Sequence, residues 1–307
     1  MTDNVFSIIV PTYNRSALLA RALDSVLAQS FPHFSVIVID DCSTDATPEV
    51  VQDYLGDPRF TYHRNETQGG TNVSRNIGYD LAEGLLITYL DDDDELVPTA
   101  LEVAYGYHCK LGAGGRHWLL FDWVTRSDGK VDNVVERREG YLQYCDILAG
   151  RIKGNFWCVY SREIIENPRI RHDERLISDE GQMYLAAWKT QPPYYVPHTL
   201  YLADDTSPAR QTDAMAMGKR NKEQLANLEV HLGVFGDDLL TYCPSMLGRK
   251  LSRLGYLYAL NRRPRKSFVS HLRALRYARS RYGAKLALLS LFALLKNVTR
   301  TTGERAS

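Results

Sequence analysis

The chain has 307 residues, of which 44% are hydrophobic and 24% are charged, as in an ordinary soluble globular protein. This length suits one large domain, or one domain with an appendage. The five cysteines are odd in number and lack C-x-x-C spacing, which argues against a disulfide framework and a zinc site. No signal-peptide pattern opens the sequence, and no run reaches the ~18–20 apolar residues of a membrane span. We therefore expect a cytoplasmic protein.

The net charge of zero hides an asymmetry along the chain. Residues 239–303 contain fourteen Lys and Arg residues and no Asp or Glu, whereas residues 1–238 contain 22 basic and 36 acidic residues. Two regions of opposite electrostatic character therefore have different expected partners.

Short apolar runs alternate with helical patterns over the first 110 residues. Continuous apolar strands separated by helices predict an open, mostly parallel α/β sheet. The predicted strands are 7–10, 36–39, 60–63 and 85–90, and the predicted helices are 16–28, 72–81 and 98–109. Further on, 118–124 is predicted to be a strand, and from residue 214 the composition becomes helical.

Polar residues follow three of these strands where each one ends. They are Pro11-Thr12-Tyr13-Asn14, Asp40-Asp41, and the run Asp91-Asp92-Asp93-Asp94 with Glu95. Because ligands collect at the carboxyl ends of parallel strands, this edge is the expected site. Carboxylates so close together repel one another, and they suit a hard cation such as Mg²⁺ or Mn²⁺. An acidic surface turn at the start of the next helix is the alternative interpretation.

Four motifs then carry a resemblance to a known family. Ser7–Arg15 resembles the opening strand of that family, and Val38–Asp45 resembles the V-D-D-G-S-x-D motif. Ser74–Gly78 resembles the A-R-N-x-G motif, and Tyr89–Asp94 resembles the L-D-x-D-D motif. The family is that of the family 2 inverting glycosyltransferases, whose motifs this chain resembles in order and spacing. The resemblance covers about the first 105 residues and implies a GT-A fold, a nucleotide-sugar donor and a divalent metal. One departure is Cys42, which replaces the usual Gly, so that turn must avoid positive φ or absorb strain.

The resemblance implies a role for each matching residue. Asp91 and Asp93 are the D-x-D pair that addresses ribose and metal, with Asp94 as a further metal ligand, although four successive aspartates leave the reading frame open. Asp41 is expected to accept a base N–H, and Pro11 and Tyr13 to flank the base. Arg75 is expected on base or phosphate, or in a structural salt bridge with Asp41 or Asp91. Asp92 completes the expected nucleotide-binding set, and the expected metal is Mn²⁺ or Mg²⁺.

Inversion by direct displacement requires a general base for the acceptor hydroxyl. The family takes this base from a Glu-Asp pair that opens a helix, and here the order is reversed, as Asp179-Glu180. Alignment to the second acidic position of the family favours Glu180 as the base, whereas residue type favours Asp179, and either acid can serve the helix dipole instead. Of the two, Glu180 is preferred. Trp157, His198 and Arg210 are candidate donor or acceptor contacts; core packing is the alternative for Trp157, and a structural role is the alternative for His198.

We therefore expect residues 1–213 to form a catalytic GT-A domain, with a nucleotide-binding half at 1–105 and an acceptor-binding half at 106–213. Residues 214–307 are expected to form a helical, basic extension. Its apolar stripe over 285–296 suits an interfacial helix on an anionic membrane, at the inner face of the cytoplasmic membrane. A helical hairpin packed on the catalytic domain and a homo-oligomer contact are the alternatives, and a nucleic-acid partner is not expected.

The leading functional hypothesis is a metal-dependent hexosyltransferase that moves a sugar from a nucleotide diphosphate, expected to be UDP, to a hydroxyl group. The expected acceptor is a glycan or a polyprenyl-phosphate-linked glycan in surface polysaccharide synthesis. The alternative is a catalytically silent sugar-nucleotide-binding subunit of a membrane-associated assembly complex.

Overall fold

The computed structural model describes residues 4–131, 133–135, 138–166, 170–176, 180–206, 217–278 and 280–303. The chain folds into two compact units. The first unit takes the described residues of Met1–Tyr144 and Ile152–Pro208, and the second takes those of Cys145–Arg151 and Ala209–Ser307.

Strands and helices alternate through the first unit. The strands are β1 Phe6–Thr12, β2 Phe34–Asp40, β3 Phe60–Arg64, β4 Leu86–Tyr89, β5 Glu95–Leu96, β6 Trp118–Thr125, β7 Asn133–Val134, β8 Gly140–Tyr141, β9 Lys153–Gly154, β10 Phe156–Ser161 and β11 Tyr194–Ala203. The helices of the described residues are α1 Ser16–Leu27, α2 Thr47–Gln52, α3 Thr71–Leu81, α4 Ala100–Lys110, α5 Tyr144–Leu148, α6 Arg162–Glu166, α7 Glu180–Thr190, α8 Met217–Tyr242, α9 Pro244–Leu260, α10 Pro264–Tyr277 and α11 Arg281–Gly303.

Nine of the described strands form one mixed sheet. Its order is β3-β2-β1-β4-β10-β6-β11-β5, with β8 paired to β11. The four strands at the β3 end are parallel to one another, whereas β10 runs antiparallel to both of its neighbours. The expectation of a mostly parallel α/β sheet with a helical C-terminal region is confirmed, and the sheet is extended by strands from the later half of the unit.

The continuous apolar strands predicted from the sequence are buried on both faces. Ile8 and Val10 on one face of β1 and Ile9 on the other are completely inaccessible to solvent, and Leu23 of α1 packs into the core with Ile8 and Val10. Helix α3 approaches β1 closely, since a Cβ on Gly78 would come within 2.3 Å of Ile9 Cγ2. This close approach fixes the distance between α3 and the strand edge that carries the polar residues.

The second unit is built around α9, which contacts α8, α10 and α11. Its buried residues Leu247, Leu251, Leu254 and Tyr258 recur at helical spacing, as expected for a central helix. None of the helices in the described part of the chain has the length and hydropathy to cross a bilayer.

Candidate active site

The strand register brings the predicted polar residues to one edge of the sheet. Thr12 is paired with Asp40, and Ile9 with Tyr89, so the aspartate run begins beside the end of β1. Pro11 is buried in β1, and Tyr13 is half-buried directly after it. The three predicted segments therefore share one edge.

The turns that follow β1 and β2 are joined to each other. The backbone N–H of Asn14 donates to Ser43 Oγ at 2.9 Å, and the Thr44 N–H donates to Asn14 Oδ1 at 2.7 Å. Cys42, which stands where the family has Gly, has φ of 68°. The turn therefore keeps the left-handed conformation that glycine suits and absorbs the strain, the second of the two outcomes expected from the sequence.

Asp41 orders the segment that leads into α3. Its carboxylate accepts hydrogen bonds from Asn65 Nδ2 (2.9 Å), from the Gly69 N–H (2.8 Å) and from the Gly70 N–H (2.7 Å). Gly70 itself has φ of 89°, a conformation that glycine adopts without strain. Asp41 thus lies at the predicted edge and also fixes the start of α3.

The four aspartates alternate between half-buried and buried positions. The side chains of Asp91 and Asp93 are 33% and 14% exposed, whereas that of Asp92 is 7% exposed and Asp94 is buried. The two more accessible carboxylates are separated by one residue, as in a D-x-D pair. The alternation therefore favours Asp91 and Asp93 as the D-x-D pair, a choice that four successive aspartates leave open in the sequence.

Two arginines of the β1–α1 segment hold the run in place. Arg15 Nη1 lies 2.9 Å from Asp92 Oδ1 and 2.6 Å from Asp93 Oδ2. Arg21 Nη2 donates to the backbone carbonyl of Asp93, and it also pairs with Asp204, each at 2.5 Å. The like charges of the run are therefore interleaved with guanidinium groups.

Asp94 joins the run to the end of β11. Its Oδ2 accepts from the Tyr201 hydroxyl at 2.7 Å and its Oδ1 from the Asp204 N–H at 2.8 Å. The next two residues, Glu95 and Leu96, form β5 and pair antiparallel with β11. A metal could use Asp94 only by sharing oxygens that already accept these bonds.

Burial and mutual repulsion govern the protonation of the run. Burial raises the pKa of Asp92 to about 7, against the lowering effect of Arg15. Burial together with the charges of Asp91 and Asp93 raises the pKa of Asp94 to about 8. Burial also opposes ionisation of Asp204, but hydrogen bonds from Thr206 and Arg21 hold its pKa well below the ordinary range. Negative charge at this edge therefore depends on nearby cations.

Arg75 of α3 is buried and reaches the aspartate run. Its Nη2 lies 2.8 Å from Asp91 Oδ1, and its guanidinium carbon is 4.9 Å from the centre of the Tyr89 ring. Of the two salt bridges anticipated from the sequence, the structure contains the one with Asp91.

Two asparagines of α3 hold the segment that precedes the predicted base. Asn76 accepts from the His172 N–H at 2.9 Å and donates to the His172 carbonyl at 3.0 Å and to Glu174 Oε1 at 2.9 Å. Asn72 donates to the carbonyls of Asp173 (3.0 Å) and Leu176 (2.9 Å). One helix thus holds both the aspartate run, through Arg75, and the backbone of residues 172–176.

His172 is buried beside this clamp. Its Nε2 is 3.2 Å from the Tyr89 hydroxyl, and its ring stacks on that of Tyr79. Burial, with the charges of Arg75 and Arg171, lowers the pKa of His172 to about 3. The imidazole is therefore neutral and serves the packing of this network.

The donor chemistry of the edge fits a hard divalent cation, because Asp91 and Asp93 offer accessible carboxylate oxygens. Within the described ranges, no three His, Cys, Asp or Glu side chains converge into a complete metal site. Arg15 and Arg75 already contact Asp93 and Asp91, so a cation would need additional oxygens, such as those of a diphosphate.

Two predicted contacts lie elsewhere. Trp157 is buried in β10, with its ring 5.4 Å from that of Phe121, so the expected contact with donor or acceptor is corrected to core packing. His198 is exposed in the middle of β11 and contacts Tyr107, about six residues and roughly 20 Å of strand before Asp204. It lies away from the aspartate edge, and its expected contact with donor or acceptor stays a prediction.

The remaining predicted residues are only partly described. Asp179 and Arg210 lie outside the described residues. Glu180 is the first residue of α7, and its side chain is not described.

Sequence reasoning gave no role to Arg15, Arg21 or Tyr201, although all three contact the run. Arg15 stands at the end of the first motif, which was a usable signal. Arg21 and Tyr201 resemble ordinary residues of a helix and a strand, and only the tertiary structure brings them to the site.

Relatives by sequence share this part of the chain. A Campylobacter jejuni protein named GalNAc(5)-diNAcBac-PP-undecaprenol beta-1,3-glucosyltransferase is 31% identical over 189 residues, which are 60% of this chain and 59% of that one. The Escherichia coli putative colanic acid biosynthesis glycosyl transferase WcaA is 44% identical over 110 residues, 35% of this chain and 39% of that one. These alignments thus span less than two thirds of either relative.

Two solved structures are similar over most of the chain. Staphylococcus aureus TarS 1–349 in complex with UDP-GlcNAc superimposes with a TM-score of 0.65 and 19% identity, covering 92% of this chain and 90% of that one. The mannosyltransferase PcManGT of Pyrobaculum calidifontis, in complex with GDP-Man and Mn²⁺, gives 0.53 and 18%, covering 98% and 84%. At sequence identities this low, the similarity shows a shared fold and nothing further.

The model of the family described as "Glycosyl transferase family 2" matches residues 7–165, just over half of the chain and all four of the motifs quoted above. This chain therefore belongs to glycosyl transferase family 2.

Proposed function

We propose that this protein is an inverting, metal-dependent glycosyltransferase that transfers a sugar from a UDP-sugar to a hydroxyl of a glycan or lipid-linked glycan. The observation that carries the proposal is the alternation of the aspartate run, with Asp91 and Asp93 accessible and Arg15 and Arg75 holding them. A donor with a diphosphate brings the oxygens that would complete a cation site at this edge. Family membership and the names of the relatives support this assignment.

The nucleotide is assigned to the surface formed by the ends of β1 and β2. Tyr13 and Pro11 would flank the base. Asp41 would accept a base N–H through a remaining lone pair, since its carboxylate already accepts three hydrogen bonds from the protein. Asp91, which Arg75 orients, and Asp92 behind it would complete the nucleotide-binding set.

Bound Mn²⁺ or Mg²⁺ on Asp91 and Asp93 would act as a Lewis acid toward the departing diphosphate. Arg15 restrains Asp93 against its neighbours, so that this carboxylate is held in one position before the donor arrives. Glu180, or Asp179 before it, would remove the proton of the acceptor hydroxyl as the new bond forms on the opposite face of the sugar. The asparagines of α3 would set the distance between that base and the carboxylates.

The acceptor and the location of the enzyme are proposed on two grounds. The Campylobacter jejuni relative is named for an undecaprenol-linked glycan. The stretch 239–303 carries fourteen basic and no acidic residues, which favours an anionic membrane surface. We accordingly assign the protein to the inner face of the cytoplasmic membrane.

The proposal is tested with UDP-glucose, UDP-galactose, UDP-GlcNAc and UDP-GalNAc, with and without Mn²⁺. A donor is expected to raise the melting temperature by mass action, and more so with the metal. UDP release, either to water or to extracted lipid-linked glycan, is expected to fall about 10²-fold or more in Asp93→Asn and in Glu180→Gln. Asp128→Asn in an exposed turn and Glu166→Gln at the end of α6 are the matched controls.

Each other outcome has a definite meaning. Donor binding without turnover on any acceptor preparation would identify a sugar-nucleotide-binding subunit. No stabilisation by any nucleotide sugar would refute the assignment. Full activity in Asp93→Asn would remove this carboxylate from the mechanism.

A further inference from the structure

Helix α10 is inverted with respect to the usual amphipathic pattern. Its buried positions carry small or polar residues, namely Ser267, Ser270 and Ala274. Phe268, Leu272 and Leu275, at i, i+4 and i+7, are all exposed, and Phe268 is 70% accessible. A surface helix of a soluble protein places its large apolar side chains toward the core. The exposed apolar face of α10 therefore has the character of an interaction surface.

Helix α11 repeats the inversion. Its exposed residues Leu288, Leu291, Phe292 and Leu295 follow the i, i+3, i+4, i+7 spacing of one helical stripe, and Phe292 is 61% accessible. The buried positions of α11 include Ser290 as well as Leu286, so its apolar residues lie on both faces and most of the large ones are exposed. Two successive helices with the same reversed pattern are not explained by scattered surface apolar residues.

Polar and small groups hold these helices together. His271 Nε2 of α10 and Ser290 Oγ of α11 are 2.8 Å apart. A Cβ on Gly255 of α9 would come within 2.7 Å of the same imidazole, so α9 and α10 are in close contact. Because these contacts use small and polar residues, the large apolar side chains of both helices are left on the outer surface.

The charges beside the stripes specify which surface is covered. The basic residues Arg265, Arg273, Arg276, Arg281 and Lys285 lie on these two helices. Lys266 of α10 instead contacts Glu229 and the Tyr258 ring. No acidic residue occurs anywhere in 239–303. Neither helix is long and apolar enough to cross a bilayer, so an in-plane position is the geometry available to them.

We propose that α10 and α11 form a membrane-docking face that inserts its two apolar stripes into the headgroup region of an anionic lipid bilayer. Such insertion differs from simple electrostatic attraction of a basic segment. The apolar stripes contribute area that is buried in the bilayer, and the basic residues on the same helices contribute the preference for anionic lipid. The inference rests on the second unit alone and does not depend on the glycosyltransferase assignment.

The test is co-sedimentation of the full chain with vesicles of phosphatidylcholine alone or mixed with phosphatidylglycerol. The wild type is expected to bind the mixed vesicles preferentially. The double variant L272Q/F292Q is expected to lose roughly tenfold or more of its partition constant, since each substitution removes an apolar side chain from the lipid. R273Q/R276Q is expected to lose affinity only for the anionic vesicles. V234Q/L240Q, at exposed apolar positions of α8, is the matched control and is expected to bind as the wild type does.

A second measurement keeps the proposal testable if the double variant misfolds. Phe292→Trp keeps an aromatic side chain, and brominated lipid is expected to quench its fluorescence more than that of the wild type. Equal binding by L272Q/F292Q and the wild type, or no added quenching, would overturn the proposal. So would light scattering that shows a dimer that L272Q/F292Q converts to a monomer, since the face would then be covered by a second copy.

Discussion

The two units of this chain break the rule of apolar inside and polar outside in opposite directions. The first unit buries charged and amide side chains at one edge of its sheet, including Asp92, Asp94 and Arg75. The second exposes Phe268, Leu272 and Phe292 while it buries Ser267 and Ser270. Buried polar groups must be compensated by partners within the fold, whereas exposed apolar groups need a partner outside it. Substitutions at the buried polar edge of the first unit should therefore lower the stability of the fold. Substitutions on the exposed apolar faces of the second unit should change little until a partner is present.

The largest expected effect is on the arginine between the aspartates. Arg15→Met leaves Asp92 and Asp93 without their cation in a buried setting, which costs about 3–5 kcal/mol of unfolding free energy. Chemical denaturation measures the loss. Arg151→Met, which removes an exposed ion pair with Asp146, is the control and is expected to cost less than about 1 kcal/mol. Equal costs for the two variants would mean that the run needs no internal counter-charge.

The asparagine clamp is expected to be next in magnitude. Asn76→Leu leaves the buried N–H and C=O of His172 without their partner, at a cost of about 1–3 kcal/mol. If α3 positions the base, UDP release also falls in kcat while KM for the donor changes little. Glu174→Gln preserves an acceptor for Asn76 and is expected to stay close to the wild type. A change confined to KM would show that the clamp serves donor binding instead.

A pH dependence follows from the neutral imidazole of His172. Its pKa is lowered from 6.5 to about 3 in the folded state, so below pH 6.5 the unfolded chain binds a proton that the folded chain does not. Stability therefore falls as the pH decreases from 6.5 toward 3, by up to about 1.4 kcal/mol per pH unit from this group. His172→Gln is expected to flatten the slope measured by denaturation between pH 7 and 5. Val234→Gln, at an exposed position of α8, is expected to leave it unchanged, because neither of these side chains titrates.

The smallest effect is expected on the apolar faces of the second unit in water. L272Q/F292Q should change the unfolding free energy by no more than about 0.5 kcal/mol per site, because both side chains are already solvated. Leu257→Ala in the buried face of α9 is the contrast and is expected to cost about 2–5 kcal/mol. A large loss from L272Q/F292Q would show that these residues are part of an internal core after all.

Local sequence predicted the parts of the fold that depend on local patterns. Strands β1, β2 and β4 and the positions of α1 and α3 follow from periodicity, and their shared edge follows from the parallel topology. Strand β5 could not be predicted, because two residues form a strand only by pairing with β11, about a hundred residues later. The antiparallel position of β10 between β4 and β6 likewise depends on tertiary contacts and not on local sequence.

The candidate site divides in the same way. The carboxylates were found because they are adjacent in sequence, whereas their partners Arg21, Tyr201 and Asp204 are scattered along the chain. Residue type makes Trp157 a candidate ligand contact, because indole rings stack on sugars, yet the strand that carries it is buried on both faces. Residue type alone cannot separate these two environments.

The bond between the aspartate run and β11 has a consequence for the order in which the protein is made. Asp94 lies 107 residues before Tyr201 and 110 before Asp204, the two groups that occupy its carboxylate. During synthesis, β1 to β4 can pair as they leave the ribosome, but the acidic edge must wait for β11 to emerge. A nascent chain arrested near residue 150 would therefore hold the parallel strands with an open, highly charged rim, and the rim would close only after residue 204 has emerged from the ribosome.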